Sequence, residues 1–118
     1  MASVLKKTTG LTGLKVVNNP EHRLQIVYGK VLRALQKIPP HAAYRKYTEE
    51  LVNTRLQIVK ESKTIEEIES KINGGQVEEL IRQGELEVVV ARRFSLFKPW
   101  EELTAHPPKN QWTWPPTK

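Results

Sequence analysis

The clearest apolar pattern lies between two proline signals. Leu24, Val27, Tyr28, Val31, Leu32 and Leu35 recur at alternating spacings of three and one, which places them on one stripe of a helix with 3.6 residues per turn. Asn19-Pro20 predicts the start of this helix: the Asn side chain can cap free backbone donors, and proline, lacking an N–H, fits the first helical position. Pro39-Pro40 ends it, because two successive prolines remove donors and exclude the preceding residue from helical geometry.

A second helix is predicted from about Ala42 to Glu61, with Tyr44, Tyr47, Leu51 and Ile58 on one face and Val52, Leu56 and Val59 beside it. Ser62-Lys63 predicts a break. Thr64-Ile65-Glu66-Glu67 reads as a capping box that opens a short helix carrying Ile65, Ile68 and Ile72, closed by Asn73-Gly74-Gly75, residues that tolerate positive φ. From Gln76 to about Phe94, Val77, Leu80, Ile81, Gly84, Val88 and Ala91 share a helical face. Val88-Val89-Val90 would also suit a strand, but no partner strand is visible to pair its backbone. The expected fold is therefore all-α: a small three-helix bundle in which one helix can be broken. Three regions are expected, namely an extended basic N-terminal segment (1–18), the bundle (19–98) and an extended Pro/Trp-rich tail (99–118).

Composition narrows the chemistry. Among 118 residues there is no Cys and no Asp, which removes disulfides, thiol nucleophiles, Cys-based metal sites and short-carboxylate triads. His22, His41 and His106 lack second ligands at helical metal-site spacing. Gly10-Leu11-Thr12-Gly13 and Gly74-Gly75 read as turns, because neither continues into a phosphate-binding Gly-Lys-Ser/Thr sequence. Glu66, Glu67 and Glu69, like Glu78 and Glu79, read as solvated helix faces, with nothing nearby to separate their pKa values for acid–base work. No catalytic, cofactor or metal residue is assigned, and the longest apolar run, Val88 to Ala91, is far short of the roughly 20 residues of a membrane span.

The net charge of +6 conceals a segregation. Residues 1–47 hold nine basic residues and one acidic, residues 48–91 hold five and ten, and residues 92–118 hold five and two. Such blocks suit docking among several neighbours better than tracking one polyanion. Met1 to Pro20, basic, rich in hydroxyls and free of acid, has the balance of an organelle-import segment although it lacks arginine. Five of the eight aromatic residues, Phe94, Phe97, Trp100, Trp112 and Trp114, fall near the C-terminus, the last two flanked by prolines. Those tryptophans either pack back along the domain or bury against another protein, where Trp is enriched at binding hot spots. A basic aromatic tail also raises the alternative of stacking on single-stranded nucleic acid.

Four blocks, in order, resemble one family: Val4-Leu5-Lys6-Lys7-Thr8-Thr9-Gly10-Leu11 with Gly13-Leu14; Ala42 to Glu49 (AAYRKYTE); Gly74 to Glu79 (GGQVEE); and Trp100-Glu101, Pro107-Pro108 and Gln111-Trp112-Thr113-Trp114-Pro115. Together they look like the B13 family of accessory subunits of mitochondrial complex I, the alpha-subcomplex subunit 5 family of NADH:ubiquinone oxidoreductase. The resemblance implies a non-catalytic subunit without cofactor, peripheral to the inner membrane on its matrix side, that supports assembly and stability of the peripheral arm. It implies contacts with core subunits of the quinone-reducing part of that arm and with a nucleoside-kinase-like accessory subunit, and none with nucleic acid. Tyr44, Arg45, Lys46 and Tyr47, with Trp100, Trp112 and Trp114, are the candidate partner-contact residues. Ala43-Tyr44-Arg45 also resembles the Leu-Tyr-Arg signature of mitochondrial adaptors that recruit acyl carrier protein, with Ala in place of Leu. A basic helical nucleic-acid-binding module and such an adaptor are the alternative functions.

Overall fold

The computed structural model describes residues 6–115. Val4-Leu5 of the first family-like block, the start of the import-like segment, and residues 116–118 lie outside that range. Four helices follow in order: α1 (Pro20–Leu35), α2 (Ala43–Glu61), α3 (Ile65–Ile72) and α4 (Val77–Phe97). No strand occurs among the described residues, and Val88-Val89-Val90 lie inside α4.

Pro20 is the first residue of α1, but the Asn19 side chain makes no capping bond, contrary to expectation. The Asn19 backbone carbonyl instead accepts from Arg23 N–H at 3.0 Å, so proline geometry and this first turn suffice to start the helix. The expected stripe is the buried one: Leu24, Val27, Tyr28, Val31 and Leu35 are core residues, while Leu32 is only partly covered. Beyond Leu35 the chain tightens, with Ile38 N–H donating to Leu35 O at 2.9 Å and Ala42 N–H to Pro39 O at 3.0 Å. This turn buries Ile38 and Ala42 and sends the chain back along α1.

The break between α2 and α3 is built as the capping signal implies, with one difference. Thr64 Oγ1 accepts from Glu67 N–H at 3.1 Å, but the Glu67 carboxylate reaches Lys63 N–H, also at 3.1 Å, one residue earlier than an ordinary capping box. Lys71 hydrogen-bonds the same carboxylate, and that contact leads in holding it below its ordinary acidity range. Asn73 closes α3 in the left-handed conformation (φ 55°), and its N–H donates to Glu69 O.

α1 is the element that the other long helices share. It packs most extensively against α4 and next against α2. Arg23 meets Glu85 at one end of the α1–α4 seam, and Lys30 shares a cavity with Arg92 at the other, so these two helices run in the same direction. At the seam Gly84 lets the backbones approach: a methyl group there would overlap Val27 Cγ1. All six residues expected on the α4 face, Val77, Leu80, Ile81, Gly84, Val88 and Ala91, are buried. The α2 face is different from the one expected. Thr48, Val52 and Val59 are its buried residues, whereas Tyr47 and Leu51 point outward. α2 touches α1 with a narrow stripe, so the broader apolar set cannot all be covered.

The N-terminal segment is fastened to the base of the bundle. Lys6 Nζ reaches Glu78 Oε2 at 2.7 Å and Gln76 Oε1 at 3.0 Å, and Gln76 Nε2 donates to Thr9 O at 2.7 Å. Thr9 Oγ1 in turn donates to Leu14 O at 2.7 Å. Beyond α4, Lys98 turns left-handed (φ 55°) and Trp100 packs partly against the core. From Glu101 to Pro115 every residue is exposed. The radius of gyration, 19.1 Å, exceeds the roughly 13.5 Å of a compact chain this long, consistent with a projecting tail.

Candidate functional site

The titratable groups do not converge into a catalytic set. His22, His41 and His106 are all exposed on separate segments, and no group of three or more His, Cys, Asp or Glu side chains able to hold a metal occurs among the described residues. Glu78 departs from the solvated reading: its residue is 2% exposed and its carboxylate is paired with Lys6, so it is a structural anchor. No helix of the described residues is long and apolar enough to cross a membrane. What the fold offers is contact surface.

The sequence-identified contact residues divide into two kinds. Tyr44 is held by its own chain: its hydroxyl donates to Glu87 Oε1, and its ring meets Phe94 edge-on at 4.6 Å between centroids. Burial, and then the Glu87 carboxylate, push the Tyr44 hydroxyl well above its ordinary pKa, since ionisation would place a second anion beside Glu87. Arg45 is likewise engaged, with Nε on Glu49 Oε1 at 2.7 Å and a terminal nitrogen on Ile38 O at 2.6 Å. Lys46 and Tyr47, next on the helix, are exposed. Tyr44 and Arg45, the residues shared with the Leu-Tyr-Arg signature, are therefore both half-buried and bonded within the bundle.

In the tail, Trp100 is partly buried whereas Trp112 and Trp114 are 91% and 85% exposed. A turn at Asn110 (φ 63°), with Thr113 N–H donating to Asn110 O at 3.1 Å, carries them. The two indoles therefore do not fold back onto the helices.

Two further surfaces escaped the sequence reading. Lys30 and Arg33 on α1, Lys37 in the turn just beyond it and Arg92 on α4 line a cavity of about 350 Å³, and none of the four forms an ion pair among the described residues. The spacing of three and four residues from Lys30 through Arg33 to Lys37 was the available signal. The second is a groove of about 420 Å³ between α2 and α4, floored by Tyr28 and Val31 of α1. The Tyr28 hydroxyl is buried and has no hydrogen-bond partner among the described residues. Burial raises its pKa, and the Arg55 guanidinium of α2 opposes that rise through its charge and its approach to the hydroxyl.

The internal use of charge also revises the segregation read from the sequence. Lys6 pairs with Glu78 and more distantly with Glu69, and Arg23 with Glu85, so part of the basic head is neutralised by the acidic middle of the same chain.

Comparison with known proteins adds identity to this geometry. A family profile described as "ETC complex I subunit conserved region" matches residues 13–79, from the end of the N-terminal strap through α3 to the first turn of α4. A mouse protein named NADH dehydrogenase [ubiquinone] 1 alpha subcomplex subunit 5 is 50% identical over 115 residues, covering 98% of this chain and 99% of the relative. A Caenorhabditis elegans protein named as a probable subunit of the same kind is 50% identical over 110 residues, covering 93% and 73%. An Arabidopsis thaliana relative, also named as a probable subunit 5 and as mitochondrial, is 38% identical over 96 residues, covering 81% and 57%.

Proposed function

Since this chain belongs to the NADH dehydrogenase [ubiquinone] 1 alpha subcomplex subunit 5 family, we propose that it sits on the matrix side of the inner membrane, with its tail buried against neighbouring subunits of the peripheral arm. It is a non-catalytic accessory subunit of complex I that supports assembly and stability of that arm. The finer partners are core subunits of the quinone-reducing part of the arm and a nucleoside-kinase-like accessory subunit.

The observation that carries this reading is the exposure of Trp112 and Trp114 in a chain whose likeness to a complex I subunit runs nearly end to end. Two bare indoles on one short turn are the residue type most enriched at interface hot spots. Lys46 and Tyr47 add exposed contact area on α2. The Lys30, Arg33, Lys37 and Arg92 cluster suits an acidic partner face, contributing association rate and register more than affinity. A nucleic-acid reading finds less support, because that basic cluster contains no aromatic side chain on which bases could stack.

Native-gel fractionation of mitochondria expressing a tagged copy tests the proposal. The protein is expected in the large NADH dehydrogenase band, and migration as a free species would overturn the reading. Cross-linking from position 112 or 114 should reach peripheral-arm subunits.

A further inference from the structure

We propose that the channel along the side of the α1–α4 seam away from α2 receives an amphipathic helix of a neighbouring subunit. Its apolar residues meet Ile26 and Val89, and its carboxylates meet Lys30, Arg33, Lys37 and Arg92. This inference rests on the assembly reading above and gives one of its contacts a chemistry.

The channel is a product of helix direction. α1 and α4 run side by side in the same direction, and α2 covers only one side of their seam. On the other side lie two hollows, of about 350 and 160 Å³, that meet at Lys30 and Arg92, which line both. No residue of α2 or α3 lines either one. Val27, Ala34 and Val88, all buried, form the floor. One rim is Arg23, Ile26, Lys30, Arg33 and Lys37, at intervals of three, four, three and four; the other is Glu85, Val89 and Arg92, at four and three. That is the periodicity at which one helix seats the side chains of another. From Arg23 to Lys37 the first rim runs roughly 21 Å at 1.5 Å per residue, the length of a helix of about four turns.

Charge then selects the occupant. Five cations and one carboxylate line the channel, and that carboxylate, Glu85, already faces Arg23 at 3.4 Å and Arg82 at 3.9 Å. Lys30, Arg33, Lys37 and Arg92 have no paired acid among the described residues. The negative end of the α1 dipole accounts for cations at Arg33, in its last turn, and at Lys37 just beyond, but not for Lys30 farther back or for Arg92 on the other helix. Four like charges around one hollow repel one another, and an acidic occupant relieves that repulsion. Toward Arg23 the channel is apolar, with Val89 45% exposed and Ile26 half-buried. The occupant therefore carries apolar residues at one end and Glu or Asp at the other. A helix satisfies its own backbone, whereas an extended segment would find no sheet edge among the described residues with which to pair.

Competitive incorporation tests the contact: differently tagged wild-type and variant chains are co-expressed, and their ratio is read in the purified complex. Lys30→Glu with Arg33→Glu should lower the variant share about a hundredfold, because like charges are then set against the incoming acids. Lys60→Glu with Lys63→Glu makes the same change in net charge at exposed positions outside the channel, and should stay within about twofold of wild type. Both pairs are exposed, so helical circular dichroism of the isolated chains should match wild type.

Benzoylphenylalanine placed at Val89 should photo-crosslink, in the assembled complex, to a helical segment of another subunit whose acidic residues stand three or four apart. Changing those acids to lysine should restore the Lys30→Glu, Arg33→Glu variant about tenfold, an outcome that lost folding cannot imitate. Equal incorporation of the two charge-reversed pairs, crosslinks to lipid or to a segment without acids, or failure of the rescue would overturn the channel contact while leaving the subunit reading intact. Absence of the wild-type chain from the complex would overturn both.

Discussion

Trp100 and Trp112 stand twelve positions apart in the same proline-rich stretch, yet one packs against the helical core and the other is 91% exposed. The difference is distance from α4. Trp100 follows two residues after the Lys98 turn and is delivered back onto the bundle, whereas the chain beyond it has no element to pack against. The α1–α4 seam thus holds the fold's own cohesion, and the tail holds apolar surface that the bundle leaves uncovered. Identical side chains are part of the fold in one place and, under the proposed assembly, serve binding in the other.

Truncation of the seam should have the largest effect. Leu80, fully buried in the first turn of α4, is part of that core, and Leu80→Ala should cost about 2–5 kcal/mol in chemical denaturation. Gly84→Ala comes next. The added methyl meets Val27, a stiff β-branched neighbour, and overpacking of this kind costs about 1–3 kcal/mol, read as a lowered denaturation midpoint.

Alkaline titration probes the junction of α2 with α4. The folded state raises the Tyr44 pKa above its ordinary 10.0, so this hydroxyl contributes stability that is complete below that value and is lost as pH rises through the folded value. A fall in thermal midpoint above about pH 10 is expected, and Tyr44→Phe should remove part of that fall.

Smallest of all should be the paired change Trp112→Ala with Trp114→Ala. Both side chains are exposed, so the isolated chain should shift by less than about 0.5 kcal/mol while incorporation into the complex drops. A large stability loss from this pair would erase the distinction between the two regions.

Much of the fold was legible because it rests on local rules. The stripes of α1 and α4 emerge from spacing alone, and Thr64 with Glu67 marks the start of α3. α2 was less legible: its apolar positions outnumber those its neighbours can cover, so periodicity could not say that Thr48 and Val52 would face inward and Tyr47 and Leu51 outward. Lys6 with Glu78, and the unpartnered Tyr28 hydroxyl, depend on tertiary placement and have no signature along the chain. The contact candidates divided for the same reason. A motif marks Tyr44 and Arg45 as a unit with Lys46 and Tyr47, but only the packed helix separates the inward pair from the outward one.

The fastening of Lys6 to Glu78 has a kinetic consequence. The two residues are 72 positions apart, the widest separation spanned by a side-chain hydrogen bond among the described residues, so the contact closes a long loop. During synthesis, or any passage that delivers the N-terminus first, Lys6 emerges long before its partner exists. α1 and α2 can pair while the strap is still free, and the strap can seat only once α3 has turned into α4. Closure of the N-terminal strap therefore reports that the turn carrying Gln76 and Glu78 into α4 has formed.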